Sequence, residues 1–100
     1  MSLAGFEWDD GNRRKCEKHG VCLDEIEEVF WGGPAVFPDP AHSQTEERLR
    51  AIGTTYQGRY VFIVFTLRNH AERGVFVRPI SARYMHEKEV RHYERQQKGS

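Results

Sequence analysis

Lys18 and His19 stand side by side immediately before Gly20. Histidine is the side chain whose ordinary pKa suits proton transfer near neutral pH, and a neighbouring lysine adds a cation that can hold an oxyanion. The same triplet also fits a helix C-terminus, where Lys and His face the last carbonyls and glycine supplies the sharp exit. Arg83 closes the run Ile80-Ser81-Ala82-Arg83 and adjoins Tyr84 and His86. An arginine at a strand end can stabilise the charge that builds on a phosphorane-like transition state. It can equally pair with Glu87 or with a glutamate of the acidic stretch upstream. Cys16, His19 and Cys22 have metal-like spacing. A closed structural zinc site needs four ligands, so a fourth would have to come from as far away as His42 or His70. No GxxxxGK[ST], GxSxG or HExxH pattern is present.

Charge is segregated along the chain. The whole sequence balances at 15 Lys+Arg against 15 Asp+Glu. From Gly20 to Glu47 there are seven acids and no Lys or Arg, whereas from Arg48 to Ser100 there are eleven bases and four acids. Between Arg48 and Arg83 the bases are all arginine: Arg48, Arg50, Arg59, Arg68, Arg73, Arg78 and Arg83. Guanidinium is planar, always charged and able to grip phosphate through two parallel hydrogen bonds. Net neutrality therefore does not exclude a polyanionic partner, because the distribution supplies what the total conceals. The alternative is that these arginines are solvated positions on a half-buried sheet.

The elements that must position these residues follow from caps and periodicity. After a short first strand at Phe6-Glu7-Trp8, Asp9 offers an N-cap and Asp10 places negative charge at a helix start. That helix runs to Lys18-His19 and ends at Gly20. With Cys22 as the next N-cap, Val21 and Ile26 fall at the hydrophobic-staple positions and Glu25 at N3. Leu23, Ile26, Val29 and Phe30 form one apolar stripe, Asp24, Glu25, Glu27 and Glu28 make the rest acidic, and Gly32-Gly33-Pro34 stops the helix. A brief strand at Ala35-Val36-Phe37 and a polar loop over 38–46 follow, the loop containing Pro40, His42 and Ser43. Three strands are expected over 48–56, 59–68 and 75–81, with a tight turn at Gln57-Gly58 and a longer loop over 69–74. The stretch 60–67 is apolar apart from Thr66, so this strand is central and covered on both faces. Pro79 lacks an N–H, which places it on an edge or at a bulge. The stretch 84–97 reads as a closing helix, charged almost all round, with Tyr84, Met85, Val90 and Tyr93 its sizeable apolar residues. The class is α+β: two N-terminal helices and a C-terminal helix packed on a small antiparallel sheet.

One hundred residues make one domain, 1–100, with a core over about 6–94. The longest aliphatic-aromatic run, 60–65, is far short of a membrane span. The N-terminus lacks a basic segment followed by a long apolar stretch, so a cytoplasmic protein with reduced cysteines is expected.

Several short motifs resemble one family when taken together. Phe6-Glu7-Trp8-Asp9, Lys18-His19-Gly20-Val21, Asp39-Pro40, Glu47-Arg48, Ala51-Ile52-Gly53, Thr66-Leu67-Arg68 and Ile80-Ser81-Ala82-Arg83 with Tyr93-Glu94 resemble, in order and spacing, the BrnT toxins of type II toxin–antitoxin systems. The match departs from the common form in three places. The interval between Asp9 and Lys18 is one residue shorter, Cys16 stands for the usual Asn, and Cys22 for the usual Ser or Asp. The resemblance implies a RelE-like fold and a ribonuclease that inhibits translation by cleaving RNA, with the 2′-hydroxyl as nucleophile and without metal or cofactor. For such an enzyme the residues read above are expected to serve as follows: Lys18, His19 and Arg83 as catalytic residues, and Arg48, Arg68 and Tyr93 as substrate-binding ones. The resemblance further implies a BrnA-like antitoxin partner, with operator DNA bound only through the toxin–antitoxin complex and no membrane association. The residues by themselves also suit a non-catalytic interaction module that presents a basic sheet to a protein.

Overall fold

A computed structural model describes residues 3–39 and 46–98. Three helices pack with a five-stranded sheet: β1 (Gly5–Phe6), α1 (Asp10–Glu17), α2 (Leu23–Trp31), β2 (Ala35–Pro38), β3 (Leu49–Thr54), β4 (Tyr60–His70), β5 (Gly74–Tyr84) and α3 (Glu87–Lys98). The spatial order is β1-β5-β4-β3-β2. Strands β2 to β5 are antiparallel neighbours, as expected, while β1 adds a short parallel edge on β5 through Gly5–Phe76 and Phe6–Val77. The α+β class therefore holds, with the sheet mixed at one end.

Local chemistry explains both N-terminal helices. The Asp9 carboxylate accepts from the Asn12 backbone N–H at 3.0 Å, and the Asn12 side-chain oxygen accepts from the Asp9 N–H at 2.7 Å. Gly20 leaves α1 at a φ of +89°, a conformation that favours glycine. At the start of α2, the Glu25 carboxylate accepts from the Cys22 N–H at 3.2 Å, and the staple residues Val21 and Ile26 are both buried. Helix α2 approaches β3 closely at Gly53, where a Cβ would lie 2.9 Å from Val29 Cγ1. That close approach is the physical reason for glycine in Ala51-Ile52-Gly53.

The core lies between the two helices and one face of the sheet. It joins Cys16, Val21, Ile26, Val29 and Phe30 to Ala51, Val61, Ile63, Phe65, Val77 and Ala82. Two details differ from the sequence reading. Strands β4 and β5 are longer than expected, so the connection shrinks to a single 3-10 turn at Ala71–Arg73. Tyr84 ends β5 and Met85 follows it, leaving α3 to begin at Glu87. The loop over 38–46, with Pro40, His42 and Ser43, lies mostly outside the described residues. Pro79 does sit at a bulge: Val64 pairs with Ser81 and Phe65 with Pro79, so Ile80 is the extra residue.

Candidate active site on the open sheet face

Side chains alternate across a strand. Val61, Ile63 and Phe65 of β4 are fully buried against the helices. Tyr60, Phe62, Val64, Thr66 and Arg68 therefore point to the other face. Register carries that face onto the neighbours: Phe62 lies opposite Ile52 and Arg83, Val64 opposite Arg50 and Ser81, and Thr66 opposite Arg78. Arg50, Arg68, Arg78 and Arg83 thus surround an apolar strip of Ile52, Phe62 and Val64. Among the described residues no helix covers this strip as α1 and α2 cover the reverse side, which corrects the expectation that β4 is enclosed on both faces.

Two clefts open on this surface. One, of about 320 Å³, is lined by Asp39, Arg48, Arg50, Phe62, Val64 and Ser81. The other, of about 270 Å³, lies against the first turns of α1 and includes Arg48, Thr66, Arg68 and Arg78. Arg48 lines both and joins them.

Most of the arginines are already oriented by carboxylates. Arg83 makes a two-pronged contact with Glu89 at 2.8 and 2.9 Å, and its guanidinium lies 4.8 Å from the Phe62 ring centroid. Its partner is thus Glu89 of α3, and neither Glu87 nor the acidic helix. Glu89 also accepts from the His86 N–H at 3.0 Å. Hydrogen bonding from Arg83, then from that N–H, holds the Glu89 carboxyl down at about 2. Arg68 contacts Glu46 at 2.7 Å, and Glu7 reaches Arg78 at 3.4 Å and Arg68 at 3.8 Å. Asp9 meets Arg78 at 2.7 Å; the Asn12 N–H first, and Arg78 second, lower its pKa.

Of the six residues singled out from sequence, the structure brings Arg48, Arg68 and Arg83 to one face. Lys18 and His19 are exposed at the end of α1, on the helix side. They are joined to the end of β5 by Tyr84, whose hydroxyl lies 3.4 Å from the Gly20 carbonyl oxygen. Tyr84 donates to Glu25 at 2.5 Å and carries Arg59 stacked 3.3 Å from its ring centroid. Hydrogen bonding to Glu25, with burial second, raises the Tyr84 pKa and keeps its proton in place. Tyr93 stands apart from the arginines, edge-on to Tyr60 at 6.0 Å, and lines a third cleft with Gly53 and Thr54. Sequence reasoning did not select Lys15, Thr66 or Arg78 as site residues. The period-2 count from Arg68 would have found Thr66, whereas Arg78, five residues before Arg83, shares their face only because of the bulge at Ile80.

The metal alternative does not fit. Cys16 is wholly buried in the core and burial pushes its thiol up to about 12, so it is a poor thiolate donor. Among the described residues no three His, Cys, Asp or Glu side chains gather around one point, and His42 lies outside them. Among the same residues, no helix is long and apolar enough to cross a membrane.

A sheet of this topology with an arginine-lined open face defines a small α+β domain suited to an anionic ligand. The BrnT family model, described as the ribonuclease toxin of a type II toxin–antitoxin system, matches residues 8–89. The chain belongs to this family, whose description implies RNA targets and an antitoxin partner. Comparison with curated proteins finds no significant match.

Proposed function

We propose that this chain is an endoribonuclease that inhibits translation by cleaving RNA through attack of the 2′-hydroxyl on the adjacent phosphate, with no metal in the mechanism. The observation that carries this reading is the convergence of Arg48, Arg68 and Arg83 on the open face around an apolar strip. RNA brings its own nucleophile. The protein must orient it, move two protons and stabilise charge on phosphorus. Arg83 serves as the transition-state cation, and the contacts of its guanidinium with Glu89 and Phe62 support that role by fixing its plane. Arg48 and Arg68 hold flanking phosphates, and Phe62 offers a ring on which an unpaired base can stack. Lys18 and His19 lie on the helix side at the end of α1, so they serve as proton-transfer groups for RNA that runs from the arginine face around the end of β5 past Tyr84, with Tyr93 an orienting hydroxyl from its separate cleft. A BrnA-like antitoxin neutralises the enzyme with an acidic or amphipathic segment laid over the arginine face, and operator DNA is bound only through that complex in the cytoplasm.

The test is inducible expression in a bacterium, following growth and total RNA, with Arg83→Ala and His19→Ala beside the wild type. Growth arrest with RNA loss is expected from the wild type. Removing the transition-state cation is expected to slow cleavage on the order of 100-fold in a variant that melts like the parent. Full toxicity from both folded single variants would defeat the assignment. Tight antitoxin binding without any RNA cleavage would leave a non-catalytic interaction module, which the apolar strip between paired arginines also suits.

A further inference from the structure

We infer that the cleft against the start of α1 is a second phosphate-binding subsite, separate from Arg83 and completed by the buried hydroxyl of Thr66. The inference rests on the reading of the open face as an RNA surface and extends it to Thr66, Lys15 and Arg78, which that reading does not use. Four cations line the cleft, Lys15, Arg48, Arg68 and Arg78, against one carboxylate, Glu46. Thr66 lies on its wall in the middle of β4 and is 1% exposed. Its Oγ1 is buried and makes no hydrogen bond among the described residues. A buried hydroxyl left unpaired destabilises a fold, and valine would fill the same space on a β-strand without that cost. A hydroxyl at this position, inside a ring of guanidinium groups, suits an anionic oxygen as its partner.

The surrounding contacts hold the cleft ready. Glu7 braces Arg68 and Arg78 from behind, and Asp9 fixes the other end of Arg78. Glu46 lies across Arg68, with contacts at 2.7 and 3.2 Å. An entering phosphate replaces this carboxylate on the Arg68 fork and accepts from Thr66 Oγ1 while Lys15 adds charge from α1. Phe62, opposite Arg83, and Thr66, opposite Arg78, are four residues apart on β4. That is about 13 Å at strand rise. One phosphate cannot reach both sites, whereas a polynucleotide strand can.

The experiment uses the full chain and two uncleavable probes: inorganic phosphate, and a short single-stranded deoxyoligonucleotide, which lacks the 2′-hydroxyl. Binding is followed by calorimetry, and melting is recorded in parallel. Thr66→Val is expected to melt at the wild-type temperature or above it, yet to bind both probes about tenfold more weakly, the scale of one hydrogen bond to a charged group. Lys15→Ala, on the exposed side of α1, is expected to weaken oligonucleotide binding and lower its salt slope by about one phosphate contact. Wild-type binding of both probes by Thr66→Val, or an unchanged salt slope in Lys15→Ala, overturns the subsite. The two readings separate in the RNA assay. Phosphate bound in a Thr66-dependent way, with no RNA cleaved, keeps the subsite and defeats the ribonuclease. RNA cleaved with an unchanged KM by Thr66→Val defeats the subsite and keeps the ribonuclease.

Discussion

The two faces of strand β4 are built from the same run of residues and do opposite work. On one face Val61, Ile63 and Phe65 are sealed against α1 and α2. On the other, Phe62, Val64 and Thr66 sit among arginines held by carboxylates. The first face gains free energy by excluding water. The second leaves cations exposed and one hydroxyl unpaired, arrangements that favour a ligand over the empty fold. A single strand thus separates stability from chemistry by the period-2 alternation alone.

That separation can be broken most strongly from the dry side. Phe65→Ala removes a fully buried ring that meets Phe30 edge-on at 4.9 Å. It should cost about 3–5 kcal/mol, measured by urea denaturation, a large share of the stability of an ordinary domain. A smaller effect tests the joint between helix layer and sheet. Asn12 is buried, and its side-chain amide donates to the Glu7 and Pro79 carbonyls at 2.9 Å each. Asn12→Ala should lower stability by about 2 kcal/mol, visible as a lower urea midpoint with an unchanged slope. The smallest effect belongs to the open face. The Glu89 pKa is depressed in the folded chain to about 2, so its pair with Arg83 contributes fully above the unfolded value near 4.5. That contribution is lost as pH falls through 2. Both partners are over a third exposed, so solvent screens the pair and the contribution is small. Melting curves of wild type and Glu89→Gln should therefore converge as pH is lowered from 5 to 2; parallel curves would show that the pair contributes nothing.

The sequence made the local devices legible. Asp9 as a cap, Gly20 as an exit, the Val21–Ile26 staple and the Pro79 bulge each depend on residues within a few positions, and each is where the pattern placed it. The sharing of one face by Arg48, Arg68 and Arg83 was partly legible, because alternation along an arginine-rich meander limits where they can point. Long-range pairings were not. That β1 lies parallel to β5, that Glu89 and not Glu87 holds Arg83, and that Cys16 faces the core away from His19 depend on packing between distant segments. The length of α3 was misjudged for the related reason that Tyr84 and Met85 suit a strand end as well as a helix start. The unpaired hydroxyl of Thr66 is invisible in a sequence, since threonine in a strand is ordinary and only burial makes it costly.

The parallel edge strand also sets a limit on timing. Gly5 pairs with Phe76, and Glu7, just beyond that strand, reaches Arg68, His70 and Arg78. Closing so long a loop costs chain entropy that only the finished sheet can offset. During synthesis the residues of β1 must wait for β5, the last strand of the sheet, before they find their partners. A nascent chain that has not released Arg78 holds no braced cationic cleft, so the arginine face is assembled only once β5 has left the ribosome.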